Sequence, residues 1–147
     1  ADIAGSFLTI SDRANEQLHL VDASADLPLL TTLPGVHAFT WSQSHEELLT
    51  ATDFEVIIHH FKEQRSQELL VRISTPVGDV AWHEGEQYVF YTTNGALYVA
   101  ARDNRDERYV AKLAEGYEGL HVISATEKEI RFTSQQATSF IFWQLPL

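Results

Sequence analysis

The chain has 147 residues and a formal charge of −11, from 21 acidic and 10 basic side chains. It is therefore the size of one domain, with no positive field to hold a polyanion, which excludes nucleic acid as a partner of the overall charge. The acidic residues are dispersed over segments that read as loops, the pattern of a solvated surface. The absence of Cys removes disulfides, zinc–thiolate centres and thiol nucleophiles, and no apolar run approaches the ~18 residues of a membrane-spanning helix.

In chain order, the apolar runs have the period of strands. Phe7 to Ile10, Gln17 to Val21 and Leu29 to Leu33 come first, then Ala38-Phe39-Thr40-Trp41, Leu48 to Ala51, Glu55 to Phe61 and Leu69 to Ile73. Val80-Ala81-Trp82, Tyr88 to Tyr91, Leu97 to Ala100 and Arg108 to Leu113 repeat that order, and Leu120 to Ile123, Ile130 to Thr133 and Phe140 to Trp143 begin it once more. These runs are rich in β-branched and aromatic residues and short, with a period of two. Thr93-Asn94-Gly95 is a tight-hairpin signal, because Asn and Gly tolerate positive φ. A helical period is nowhere sustained.

The runs are copies of one unit with a period of about 41 residues. Trp41 falls on Trp82 and then on Ile123, Leu48 on Val89 and Ile130, and Thr50 on Tyr91 and Phe132. Four strands per unit, named a to d from the axis outward, are the signature of β-propeller blades. The fold expected is all-β, a β-propeller segment of about three and a half four-stranded antiparallel blades. The blades fall at about 6–34 (partial), 35–75, 76–116 and 117–147 (partial). Trp41 and Trp82, with Ile123 in the third copy, are expected to wedge between adjacent sheets. The first blade is expected to lack its inner strand a and the last its outer strand d, so that the chain is part of a larger propeller or a half-ring that pairs with another copy. The absence of Met, at position 1 included, fits a trimmed, processed or excised chain.

The run from Glu47 through Glu68-Leu69-Leu70-Val71-Arg72-Ile73-Ser74-Thr75-Pro76-Val77 to Val80-Ala81-Trp82-His83 resembles WD40-like propellers. It is most similar to the divergent propellers associated with PEGA domains in bacterial surface-anchored proteins, and Gln87 to Phe90, Asn94 to Val99 and Ser139 to Leu147 continue the likeness. The resemblance implies a non-catalytic, extracytoplasmic or cell-surface interaction domain and carries over no functional residue. The turn between strands a and b departs from the family's Ser-Pro-Asp-Gly, and no Gly-His…Trp-Asp pair occurs.

Seven His residues do not form a ring of ligands. His37 falls on Gly78 and Gly119, and His59 and His60, adjacent on a strand, point to opposite faces. His121, at an inner-strand position, is expected to be a hydrogen-bonded core residue. No Gly-x-Ser-x-Gly run is present, and the carboxylate pairs Glu46–Glu47, Glu84–Glu86 and Asp103–Asp106 sit in turns, where they are solvated. Asp103-Asn104-Arg105-Asp106 lacks the Gly and distal Glu of a calcium loop and reads as a solvated hairpin. The expectation is a non-enzymatic protein-interaction or surface scaffold domain with no catalytic residue, metal or cofactor. Its partner is a protein, another copy or the other half of the propeller. The alternative is a carbohydrate-active or hydrolytic propeller completed by blades outside this chain. Propellers bind where the d–a and b–c loops meet, so the expected partner face carries His37, Asp53, Phe54, Asn94 and Tyr117 beside Pro34, with either aromatic ring also able to cover its own blade.

Overall fold

A computed structural model describes residues 2–4, 7–24, 26, 29–61, 66–103, 108–136 and 139–147, without the side chains of 2–4 and 136. The chain divides into two compact units, Ala1–His37 and Ala38–Leu147. The first is a single antiparallel sheet, β1(Asp2–Ala4), β2(Phe7–Asp12), β3(Gln17–Asp22) and β4(Leu29–Pro34), with the strands side by side in chain order. The second holds three sheets. These are β5(Ala38–Trp41) to β8(Ser66–Arg72) through β6(Glu47–Ala51) and β7(Glu55–His60), then β9(Val77–Trp82), β10(Tyr88–Thr93), β11(Ala96–Ala101) and β12(Val110–Glu115), and last β13(Glu118–Ala125), β14(Glu129–Gln136) and β15(Ser139–Pro146). Each sheet is an up-and-down meander, and no helix occurs among the described residues. The sheets are those of propeller blades.

Strand β1 corrects the sequence reading of the first blade. Asp2, Ile3 and Ala4 pair with Thr9, Leu8 and Phe7, so this sheet has a strand in the inner position, formed by a hairpin too short to announce itself by periodicity. The last sheet has three strands among the described residues.

The turns follow their residues. Thr93 and Ala96 pair directly, leaving Asn94 (φ 48°) and Gly95 (φ 72°) as a two-residue turn with both centres left-handed, the geometry that matches the twist of the flanking strands. Between β2 and β3, the Asp12 carboxylate accepts from the Asn15 side chain and from the Ala14 and Asn15 amides, which holds its carboxyl below the usual range.

In the second unit burial explains the composition of the strands. Val89, Phe90, Tyr91, Thr92 and Thr93 of β10 are all buried, because this strand has a sheet on either side. Val89 and Tyr91 join Leu49, Ala51, Val56 and Ile58 of the preceding sheet in one apolar cluster, together with Val80 and Trp82. Phe90 and Leu97 instead join Leu120, Ile130 and Phe132 of the following sheet. Alternation thus assigns successive side chains of one strand to two seams.

Polar latches cross the same seams. The Trp82 indole N–H donates to the Thr40 carbonyl (3.2 Å), and the Val122 amide to the Asp79 carboxylate (2.9 Å). The Glu86 carboxylate accepts the Gln43 and Ser44 amides, and the Glu84 amide donates to the Ala125 carbonyl (3.1 Å). Each latch joins one inner strand or a–b turn to its neighbour.

The third copy of the Trp position is not a wedge. Trp82 pairs with Val89, but its counterpart opposite Ile130 is Ala125, because the register of β13 shifts between Val122 and Ser124. The bulge turns Ile123 outward, where it is 55% exposed. This seam is filled by rings instead: Tyr117 packs edge-to-face on Phe132 (5.4 Å) and Trp143 (5.0 Å). His121 is exposed rather than in the core, its ring 3.7 Å from the Asp79 carboxylate of the preceding sheet, because alternation along β13 gives the buried place to Leu120.

Candidate functional site

The expected partner face is built on backbone. In the second sheet the b–c turn carries Asp53 and Phe54, and both are stapled to the next d–a connection: the Val77 amide donates to the Asp53 carbonyl (2.8 Å) and the Ile73 amide to the Phe54 carbonyl (3.0 Å). One blade later the Tyr117 amide donates to the Gly95 carbonyl (3.0 Å), which brings Asn94 and Tyr117 onto neighbouring loops by the same device. Asp53 and Asn94 are exposed, and the Phe54 ring is 47% exposed on its pinned turn. Tyr117 is half-buried, its ring inside the aromatic group with Phe132 and Trp143. His37, exposed beside the buried Val36, belongs to the first unit.

Gly95 decides how closely these loops meet. A Cβ there would overlap the Tyr117 carbonyl oxygen, and φ is positive, so Gly95→Ala meets both steric conflict and backbone strain. The substitution is expected to lower the unfolding free energy by about 2 to 3 kcal/mol. It should also accelerate amide exchange at Tyr117, read by urea denaturation and hydrogen exchange.

The grooves lie at the other end of the strands, where the sequence places the solvated carboxylates Glu84, Glu86 and Asp103 but no residue of the expected partner face. One, of about 580 Å³, is lined by Glu68, Glu86, Gln87, Tyr88, Arg102 and Asp103 with Ala101. Another, of about 310 Å³, lies against the ends of the inner strands at Trp41, Trp82, His83, Glu84 and Ile123.

Their charges are spoken for. The Arg102 guanidinium donates to the Glu47 carboxylate (2.8 Å) and the Glu86 carbonyl (3.1 Å), with its Cζ 5.4 Å from the Trp82 ring centroid. Arg108 donates to Glu68 (2.7 Å) and to the Ala101 and Arg102 carbonyls. His60 lies 2.8 Å from Glu47 and 3.9 Å from Glu68, closing a five-residue ion network across the second and third sheets. Glu47 and Glu68 are each engaged by a guanidinium from the neighbouring sheet, so this groove has the electrostatics of a joint. Arg102→Met, which keeps the stem and removes the donors, is expected to cost about 1 to 3 kcal/mol. Salt titration of stability checks this, since the parent should lose more than the variant as ionic strength rises.

The two strongly shifted groups are structural as well. Burial holds the His59 imidazole down at about 4, with the neighbouring His60 charge adding to the effect; its Nε2 lies 3.0 Å from the Thr50 hydroxyl. Burial likewise pushes the Tyr91 phenol up to about 12, where it stacks on Tyr98 at 5.3 Å. Neither residue lines a described groove.

Among solved structures the chain is similar to the β-propeller domain of Myceliophteria thermophila Cps50 (Swd1), with TM-score 0.65 and 15% identity over 88% of this chain and 46% of that one. The fold is that of a β-propeller. The N-terminal domain of Nup159 matches with TM-score 0.60 and 9% identity, over 97% of this chain and 42% of that one. Kluyveromyces lactis Hsv2 matches with TM-score 0.56 and 11% identity, over 99% and 59%. The chain thus spans about half the length of these propellers. No family model and no curated protein matches the sequence. No helix among the described residues is long and apolar enough to cross a membrane.

Proposed function

We propose that the chain is a non-enzymatic β-propeller segment that serves as a protein-interaction or surface scaffold domain. The observation that carries this reading is Phe54, an aromatic ring 47% exposed at the tip of a turn held by main-chain hydrogen bonds from the next loop. An exposed ring on a rigid turn anchors an interface at little entropic cost. Asp53 and Asn94 supply a polar rim on the same end of the sheets. Tyr117 contributes through the seam, by fixing the loop beside Asn94. The likeness to propellers of PEGA-associated surface proteins favours an extracytoplasmic setting for this binding.

The test is site-specific photo-cross-linking in extracts of the source cells, with the photoreactive residue at position 54 or, as a control, at the exposed Tyr109 of the outer side. The reading expects one protein captured from position 54, not from 109, and lost on mutation of Asp53 to Lys. The hydrolytic alternative expects turnover on a panel of glycosides and esters. Turnover by the purified chain would overturn the scaffold reading.

A further inference from the structure

The larger groove has a wall that the joint does not explain. Its residues come from the second and third sheets, away from both termini: Glu68 from β8, Glu86, Gln87 and Tyr88 from the turn into β10, and Arg102 and Asp103 from the end of β11. All but Tyr88 end in a planar carboxylate, amide or guanidinium, a shape that can meet two neighbouring hydroxyls at once. Tyr88 is the aromatic ring of the wall and is 38% exposed. The His83 ring lies against it, with centroids 5.7 Å apart and planes at 85°, which fixes its position. The polar groups are fixed as well. The Arg102 amide donates to the Gln87 carbonyl (3.0 Å), and the Arg102 guanidinium is held by the Glu47 carboxylate and the Glu86 carbonyl. Arg108 holds the Glu68 carboxylate. Groups already immobilised lose little freedom when a ligand arrives.

We infer that this groove binds a neutral sugar, with one pyranose ring packed on Tyr88 and its hydroxyls bonded to the surrounding carboxylates, the Gln87 amide and Arg102. A pyranose offers an apolar C–H face and a girdle of hydroxyls that both donate and accept. It therefore matches a single exposed aromatic ring set among planar polar groups. Charge narrows the occupant. Glu68, Glu86 and Asp103 outnumber Arg102 on the wall, so an anion is repelled. A metal ion would compete with Arg108 for Glu68 and with the Gln43 and Ser44 amides for Glu86, and among the described residues no group of three potential ligands is placed to hold one. An apolar ligand finds only Tyr88 and Ala101. A hydroxyl needs no counter-charge, and a carboxylate that accepts one bond keeps lone pairs for further donors. The volume of about 580 Å³ falls within the roughly 300 to 1,000 Å³ of small-ligand sites, and an open polar groove of this kind binds in about the millimolar range. The groove lies at the opposite end of the strands from Phe54, so this inference adds to the protein-binding reading and does not depend on it.

The test is NMR of the 15N-labelled 147-residue chain titrated with glucose, galactose, mannose, N-acetylglucosamine and glucuronate, each to about 50 mM. At least one of the neutral sugars is expected to shift the amides of Gln87, Tyr88 and Arg102 and to show saturation transfer from aromatic protons, with glucuronate binding at least tenfold more weakly. Tyr88→Ala, at an exposed position, should weaken that sugar at least tenfold while leaving the rest of the amide spectrum in place. Phe54→Ala should bind the sugar as the parent does, which separates this groove from the protein-binding surface. The inference is overturned if none of the neutral sugars shifts these amides, if binding survives Tyr88→Ala, or if glucuronate binds as well as the neutral sugar.

Discussion

Trp82→Ala is expected to lower the unfolding free energy by about 4 kcal/mol, and Ile123→Ala by less than about 0.5 kcal/mol, although the two residues occupy the same place in the sequence repeat. Trp82 is buried in the cluster shared by the second and third sheets, donates its indole N–H to Thr40 and lies under the Arg102 guanidinium. Truncation to Ala removes the ring from both sides of a seam that has no spare side chain to collapse into the space. Trp82→Phe keeps most of the ring and loses the donor, so about 1 kcal/mol of the penalty should remain, with some cavity cost added. Ile123 sits on a bulge, largely in water, and its removal uncovers nothing. Urea denaturation at one pH, with unchanged m-values, reads all three.

His59 gives the second large effect, through pH. Its imidazole is buried with its Nε2 beside the Thr50 hydroxyl, and burial lowers its folded-state pKa to about 4 from an unfolded value of 6.5. Below pH 6.5 the unfolded chain therefore takes up a proton that the folded chain refuses until about pH 4. The contribution to stability is fully present above pH 6.5 and is lost as pH falls through that window. A difference of this size corresponds to about 3 kcal/mol. His59→Gln retains a side chain that bonds Thr50 and cannot titrate. Between pH 7 and pH 4 the parent should lose about 3 kcal/mol more than this variant, measured by denaturant midpoints at each pH. Equal losses in the two proteins would remove His59 from the acid sensitivity of the fold.

The strands were legible because two periods, two residues within a strand and about 41 between copies, agreed along the whole chain. The order a to d, the Asn94–Gly95 hairpin and the wedge role of Trp82 could all be read that way. What escaped had identifiable causes. Strand β1 is three residues long, too short to show a period. The bulge at Ile123 breaks the register that alignment assumes, so a sequence-equivalent position became a surface one. Tyr117 looked like a loop aromatic, and only the third dimension places it on Phe132 and Trp143.

The ion network was equally invisible. Glu47 and Arg102 are 55 positions apart, and nothing local ties the acid of one blade to the base of the next. In this network Glu47 and Glu68 join the second and third sheets, whereas the exposed Phe54 ring lies at the opposite end of the strands. The part of the Asp103–Asp106 segment from residue 104 onward lies outside the described residues.

In the second unit the blades share alternate side chains between seams. Methyl-labelled NMR of the 147-residue chain tests that directly. It should show contacts from Leu49 and Ile58 to Val89, and from Leu97 to Ile130, with none from the Ile123 methyls to either cluster. Contacts from Val89 and Ile130 to a common set of side chains would instead describe two faces of one sandwich, and would contradict the propeller.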